Sequence, residues 1–225
     1  MNIHLASFPA SARNATGAVV AIDAFRAFTT AAYAFAAGAT EIIMVDSLDE
    51  ARALRKSGGA DISIGERGGL KPEDFDLPNS PTAVSKRDLK GKRLVQTTTN
   101  GTATLAAAPE GATLFAAALV NARATGTALN EVGEATIIAA GRKGETRAPE
   151  DELCATYIKA VAAGEAYDAP ALSELLTRWF GVEDFLTARE AYGPRTDWLL
   201  ALELDRFDFA MKVTQEDGLL VARAG

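Results

Sequence analysis

The sequence predicts an α/β fold built on a largely parallel sheet that leaves room for antiparallel members. Three observations lead there. Between residue 18 and about residue 164, short apolar runs alternate with amphipathic or alanine-rich stretches, the pattern of strands separated by crossover helices. The runs are too short and too uniformly apolar for helices and are mostly rich in Val and Ile, as strands covered on both faces are. Unusual polar clusters follow one run after another, where an open α/β sheet places its ligands.

Taken in order, the runs at 18–23, 41–46, 61–65, 93–97, 113–117 and 135–140 read as strands. Residues 48–57 read as a helix opened by the Ser47-x-x-Glu50 spacing of a capping box. Residues 149–163 read as a second, with Pro149 in its first turn, Glu150, Asp151 and Glu152 at the positive end of its dipole, and Gly164 as its stop. Between them, residues 66–80 form a Gly-, Pro- and charge-rich segment near the length limit of a structureless loop, and such loops are usually functional or disordered. Residues 171–180 and 196–204 are helix-like, and 207–213 and 219–223 read as a hairpin across Gln-Glu-Asp-Gly. With no repeat or linker in view, residues 1–225 read as one α/β domain, in which 170–225 form a cap of helices plus hairpin packed on the same sheet.

Composition narrows the function. The chain has 225 residues, is 48% hydrophobic and 24% charged, and carries a net charge of −7. This is the balance of a globular protein with a sizeable core, and its acidity argues against nonspecific binding to nucleic acid or anionic membranes. There is no apolar run of spanning length and no basic leader before an apolar segment, so a cytoplasmic location is expected. Cys154 is the only cysteine and His4 the only histidine. Those counts remove an intrachain disulfide, CxxC sites and His-cluster zinc sites, and disfavour a Ser-His-Asp hydrolase or a histidine phosphatase.

The clusters after the strands are Asp23-Ala-Phe-Arg26-Ala-Phe-Thr29-Thr30, Gly65-Glu66-Arg67-Gly-Gly69, Thr97-Thr98-Thr99-Asn100-Gly101-Thr102, Asn121, and Gly141-Arg142 with Glu145, Glu150 and Asp151. All can share one edge of the sheet. Arg26, Arg67, Lys71 and Arg142 supply fixed positive charge, and guanidinium forks match phosphate or sulfonate oxygens. Thr98, Thr99, Asn100 and Gly101 lie on a strand-to-helix turn suited to cradling an anion. Asp23, Glu66, Glu145, Glu150 and Asp151 are hard oxygen ligands of the kind Mg²⁺ accepts. Together they suggest metal-assisted phosphoryl chemistry. Each has a plainer reading too. Asp23 could cap a helix, Arg26 could pair with it, and Glu150 and Asp151 could serve the helix dipole. Cys154 reads as a small buried hydrophobe and His4 as incidental. The polar threonine run on a strand that should be buried is harder to dismiss, because its hydroxyls need partners.

The motifs Asp23-Ala-Phe-Arg-Ala-Phe-Thr-Thr, Gly65-Glu-Arg-Gly-Gly-Leu-Lys, Phe75-Asp-Leu-Pro-Asn79-Ser80-Pro, Thr97-Thr-Thr-Asn-Gly-Thr, Asn121-Ala and Glu150-Asp-Glu-Leu-Cys recur in one order, and through them the chain resembles the 2-phosphosulfolactate phosphatase (ComB) family. The resemblance implies a Mg²⁺-dependent phosphatase of a three-layer α/β/α fold, cleaving (2R)-phospho-3-sulfolactate to 3-sulfolactate and phosphate on the route to coenzyme M, and a homodimer. Read through it, Asp23, Arg26, Glu66, Arg67 and Asp151 are the expected catalytic residues. Asp23, Glu66, Glu150 and Asp151 are the expected metal ligands. Thr29, Thr30, Lys71, Asn79, Ser80, Thr98, Thr99, Asn100, Gly101, Asn121 and Arg142 are expected to bind substrate, with Arg26 and Arg67 on the phosphate and Lys71 on the remote acid group. A family Cys and Val-Pro near the C-terminus have no counterpart in residues 198–213, whose role stays open.

Alternatives remain beside this reading, one of them a phosphatase of the same fold with a different small phosphoester substrate. An aspartyl-phosphate route needs Asp-x-Asp, whereas Phe25 stands two after Asp23. A non-catalytic anion or nucleotide-phosphate binding module needs no carboxylates beside its ligand. An NAD-type oxidoreductase lacks G-x-G-x-x-G after the first strand.

Overall fold

A computed structural model describes residues 1–142, 145–179 and 193–225. Its strands in chain order are β1 (Asn2–Ser7), β2 (Ala18–Ile22), β3 (Glu41–Val45), β4 (Ile62–Gly65), β5 (Leu77–Pro78), β6 (Arg93–Thr97), β7 (Leu114–Ala117), β8 (Glu134–Ala139), β9 (Met211–Glu216) and β10 (Leu219–Ala224). They form one mixed sheet in the order β1-β8-β2-β7-β9-β10-β3-β6-β4-β5. Its helices are α1 (Ala27–Ala36), α2 (Leu48–Ser57), α3 (Pro81–Ser85), α4 (Gly101–Ala106), α5 (Ala122–Ala128), α6 (Pro149–Ala163), α7 (Ala169–Trp179) and α8 (Arg195–Ala201).

Alternation along each strand makes the three layers. Val19 and Ala21 of β2 and Ile42 and Met44 of β3 join a core built on α1, α3 and α4. On the opposite face, Val20 and Ile22 pack toward α5, α6 and α7, and Ile43 and Val45 pack toward α2. Caps fix the two clearest helices at their expected bounds. Ser47 Oγ accepts from Glu50 N at 3.1 Å, and Gly58 and Gly164 close α2 and α6 at φ 78° and 67°.

The structure departs from the sequence reading at three places. Residues 2–7 form β1, an edge strand beside β8, whose half-exposed pattern hides it from a search for apolar runs. The charged segment 66–80 contains β5, which adds to β4 in parallel. The C-terminal hairpin is not laid over the sheet as a cap: β9 pairs antiparallel with β7 and β10 antiparallel with β3, so it sits in the middle of the sheet. Asp217 and Gly218, at φ 51° and 82°, make the two-residue turn, which extends β9 to Glu216. The preceding Phe207 and Phe209 meet Tyr33 and Phe35 of α1 edge to face. The expected helix end at Phe180 lies outside the described residues.

This insertion changes how the site is assembled. Three consecutive antiparallel steps, β7 to β9 to β10 to β3, reverse the sense of the two parallel sets, so their carboxyl ends do not share one flat edge. A twist of roughly 20–25° per strand accumulates to about a right angle or more over the five steps from β2 to β6 and swings the ends toward each other. They meet at the start of α1, a helix buried from Ala27 to Phe35, where Gln96 Nε2 of β6 donates to Ala27 O at 2.9 Å.

Candidate active site

A cavity of about 470 Å³ opens at this junction. Asp23 enters it from the end of β2, Glu66 from the end of β4, Thr99 and Asn100 from the turn after β6, and Gly141 and Arg142 from the end of β8. Arg26 and Asn79 line it as well, and α8 closes one wall with Arg195, Asp197 and Trp198.

Two of the four expected metal carboxylates face this space. Asp23 is buried, and its Oδ1 accepts from Ala27 N at 3.1 Å, so it also anchors the start of α1. Burial, and then the negative charge of Glu66 and Glu150, push its carboxyl up to about 6. Glu66 Oε1 accepts from Thr99 N and Oγ1 at 2.7 and 2.8 Å, and Oε2 accepts from Gly69 N at 2.6 Å. The Gly-Gly step after Arg67 bends the loop back onto Glu66, with Gly68 at φ 61° and Gly69 at φ 87°. Asp151 and Glu150 are not among the cavity-lining residues. Asp151 ties two strand ends together: Oδ1 accepts from Ala24 N at 2.8 Å and Oδ2 from Gly141 N at 3.0 Å. Burial, then Glu150 and Asp23, raise its carboxyl well above the usual range. Glu150, on the first turn of α6, pairs with Arg142 Nη2 at 3.2 Å.

The four expected cations divide. Arg26 is buried at the cavity and donates from Nη1 to Asp197 Oδ2 at 2.7 Å. Arg142 lines the cavity in front of Glu150. Arg67 turns away: it donates to Glu66 O at 3.0 Å, to Asp46 O and to Thr97 Oγ1 at 2.9 Å, and it is absent from the lining. Lys71 is also outside the lining and folds onto its own loop, with Nζ 2.6 Å from Phe75 O and 3.1 Å from Pro72 O.

The threonine run finds the partners it needs: Thr97 takes Arg67, Thr98 exchanges bonds with Thr102, and Thr99 holds Glu66. Gly101 starts α4 so close to Asp23 that a Cβ there would lie 3.0 Å from Oδ2. Asn79 reaches the cavity and Ser80 caps α3, donating to Asp197 Oδ1 at 2.6 Å. Thr29 donates to Ala24 O at 2.6 Å, and Thr30 is fully buried in α1; neither lines the cavity. Asn121 is buried, accepts from Ala118 N at 2.9 Å and is likewise absent from the lining. Cys154 is a buried thiol whose pKa burial raises well above the usual value, as a packing residue's would be.

Sequence reasoning missed the α8 wall. Asp197 is fully buried and accepts three bonds, from Arg26, from Ser80 Oγ and from Thr82 N at 3.0 Å. Trp198 beside it meets Phe25 edge to face at 5.2 Å. The available signal was a Gly-Pro-Arg-Thr-Asp turn opening a helix, which local chemistry alone does not tie to Arg26.

The donor set can be tested against Mg²⁺. Among the described residues no group of three His, Cys, Asp or Glu side chains is placed to hold a metal. Mg²⁺ commonly takes only one or two protein carboxylates and keeps several waters. Asp23 and Glu66, two buried carboxylates lining one cavity, fit that requirement, whereas Asp151 and Glu150 do not face the same space.

Residues 6–193 match the family model for 2-phosphosulpholactate phosphatase. A protein of Carboxydothermus hydrogenoformans described as a probable 2-phosphosulfolactate phosphatase is 37% identical over 200 residues, covering 87% of this chain and 83% of its own. One of Bacillus subtilis with the same description is 32% identical over 204 residues, covering 88% and 87%. One of Caldicellulosiruptor saccharolyticus is 40% identical over 144 residues, covering 61% and 59%. With the family match spanning the strands and loops that deliver Asp23, Arg26, Glu66, Thr99 and Arg142 to one cavity, the chain belongs to the 2-phosphosulfolactate phosphatase family.

Proposed function

We propose that the chain is a Mg²⁺-dependent phosphatase acting on the phosphate ester of a small anionic hydroxy acid, with 2-phospho-3-sulfolactate as its substrate. The observation that supports this most is the pairing of two buried carboxylates, Asp23 and Glu66, with the buried guanidinium of Arg26 in one cavity. Carboxylates beside a phosphate site repel the ligand unless a cation stands between them, which disfavours a purely anion-binding module. Asp23 and Glu66 would hold the ion, which when bound would neutralise phosphate oxygens and lower the pKa of a bound water.

The remaining roles follow from placement. Arg26 donates to the phosphate oxygens from a side chain fixed by Asp197, so little order has to be created when charge develops on the ester. Arg142 adds a second cation across the cavity. Thr99 fixes the Glu66 carboxylate through both its amide and its hydroxyl, and Asp151 fixes the backbone on either side of the site without entering it. Phe25 and Trp198 contribute apolar surface that limits water around the ester.

Phosphate release from 2-phospho-3-sulfolactate and from a panel of small phosphoesters, with Mg²⁺ and with excess chelator, tests this reading. Turnover is expected with Mg²⁺ and not with chelator, and Asp23→Asn should reduce kcat at least about 10²-fold. Turnover of other esters alone would move the substrate assignment. Undiminished turnover in chelator would remove the metal, and no phosphate from any ester would overturn the proposal.

A further inference from the structure

Accepting that reading, one arginine of the cavity has no ion pair with a carboxylate among the described residues. Three arginines line it among the described residues: Arg26, Arg142 and Arg195. Arg26 is matched by Asp197 at 2.7 Å and Arg142 by Glu150 at 3.2 Å. Arg195 is exposed, and no carboxylate among the described residues pairs with it. Its backbone is nonetheless held firmly. Thr196 Oγ1 lies 2.8 Å from Thr82 Oγ1, Asp197 accepts three bonds, and Trp198 is buried.

We propose that Arg195 is the specificity-determining residue that receives one of the two acid groups of the substrate that do not react, its sulfonate or its carboxylate. The other loop cations expected near the site are spent elsewhere. Lys71 is folded onto the carbonyls of Pro72 and Phe75, and Arg67 onto Asp46 and Thr97. A guanidinium on an anchored wall, without an ion pair among the described residues and lining a cavity with a proposed phosphate site, selects small esters bearing an extra anion over plain phosphomonoesters. The family match ends at residue 193, just before this wall, so the residue lies outside the segment that the match covers.

The test separates this assignment from the phosphatase reading by measuring binding as well as turnover. Calorimetric titration with 3-sulfolactate and, separately, with inorganic phosphate is done on the Mg²⁺-loaded wild type, Arg195→Gln and Arg195→Lys. Removing a charged hydrogen-bond partner is expected to weaken 3-sulfolactate at least about tenfold in Arg195→Gln, well beyond any change for phosphate, with Arg195→Lys intermediate. In turnover, the ratio of kcat/KM for 2-phospho-3-sulfolactate to that for isopropyl phosphate should fall by a similar factor. Equal affinity for 3-sulfolactate in wild type and Arg195→Gln overturns the proposal. So does an equal loss for both ligands, or no binding of 3-sulfolactate by the wild type. A wild type that releases no phosphate but shows the selective binding loss defeats the phosphatase reading and leaves the acid-group subsite standing.

Discussion

Asp197 Oδ2 accepts a 2.7 Å hydrogen bond from Arg26 Nη1, joining residues 171 positions apart in a pair almost sealed from water. Gly193 backs this contact so closely that a Cβ there would lie 2.1 Å from Nη1 and 2.7 Å from Asp197 Oδ2. Arg26 therefore owes its aim to α8 and to the turn before it. Asp197→Asn keeps the shape and removes the charge. It should lower kcat/KM about 10²-fold, with a loss of stability of a few kcal/mol because the guanidinium stays buried with a weaker partner. Gly193→Ala leaves every polar group in place and pushes the pair apart, and it should cost activity in the same range. Steady-state kinetics with thermal denaturation of both variants decides it. Wild-type kcat/KM in either would show that Arg26 acts without this support.

Arg26 and Arg67 carry the same charge and differ in where the structure points them. Arg26→Lys should lose on the order of 10²-fold in kcat/KM, because an ammonium that bonds Asp197 lacks the planar fork that offers parallel donors to phosphate. Arg67→Lys gives up bonds to Asp46 O and Thr97 Oγ1 outside the cavity. It should cost about 1 kcal/mol of stability and only a few-fold in activity. Paired kinetics and chemical denaturation of the two variants check the division. An equal collapse of activity would return Arg67 to the phosphate.

The parts of the fold that were readable in the sequence are those whose causes are local. The bounds of α2 and α6 follow from Ser47, Pro149, Gly58 and Gly164, and the apolar strands from their own composition. Glu66 and Thr99 were readable because the Gly-rich bend and a buried polar strand end both demand partners. The place of the hairpin was not readable, since the Asp217-Gly218 turn fixes β9 against β10 but does not say which strands flank them. Charge is visible in a sequence and direction is not. Lys71 and Arg67 have the charge of substrate cations, but their loop turns them onto carbonyls, and Asp197 has the sequence of an ordinary first-turn acid, but the fold sets it beside Arg26.

The Asp23 carboxyl gives the site a pH signature. In the folded chain its pKa stands at about 6 against an ordinary 3.8, chiefly through burial. Between those values the folded protein holds a proton that the unfolded chain releases, so the stability contributed by Asp23 is fully present below about 4 and is lost as pH rises through 6. The difference is worth up to about 3 kcal/mol, since each tenfold change in proton affinity corresponds to about 1.4 kcal/mol. Asp151, raised from the same causes, adds to the slope with the same sign. In chelator, the melting temperature of the wild type should therefore drop by several degrees across this window relative to Asp23→Asn, which has no proton to lose there. The comparison with the variant isolates the titration of Asp23 together with the carboxylates it acts on, chiefly Asp151. If Mg²⁺ sits on the ionised form, adding it should raise the melting temperature more at pH 7 than at pH 5, because protons compete for the same oxygens, and the gain should shrink in Asp23→Asn. Melting curves from pH 4 to 8, with chelator and with Mg²⁺, measure both effects. Parallel curves for the two proteins in chelator would show that Asp23 does not titrate as the burial demands, and an equal gain from Mg²⁺ in both would remove Asp23 from the ion.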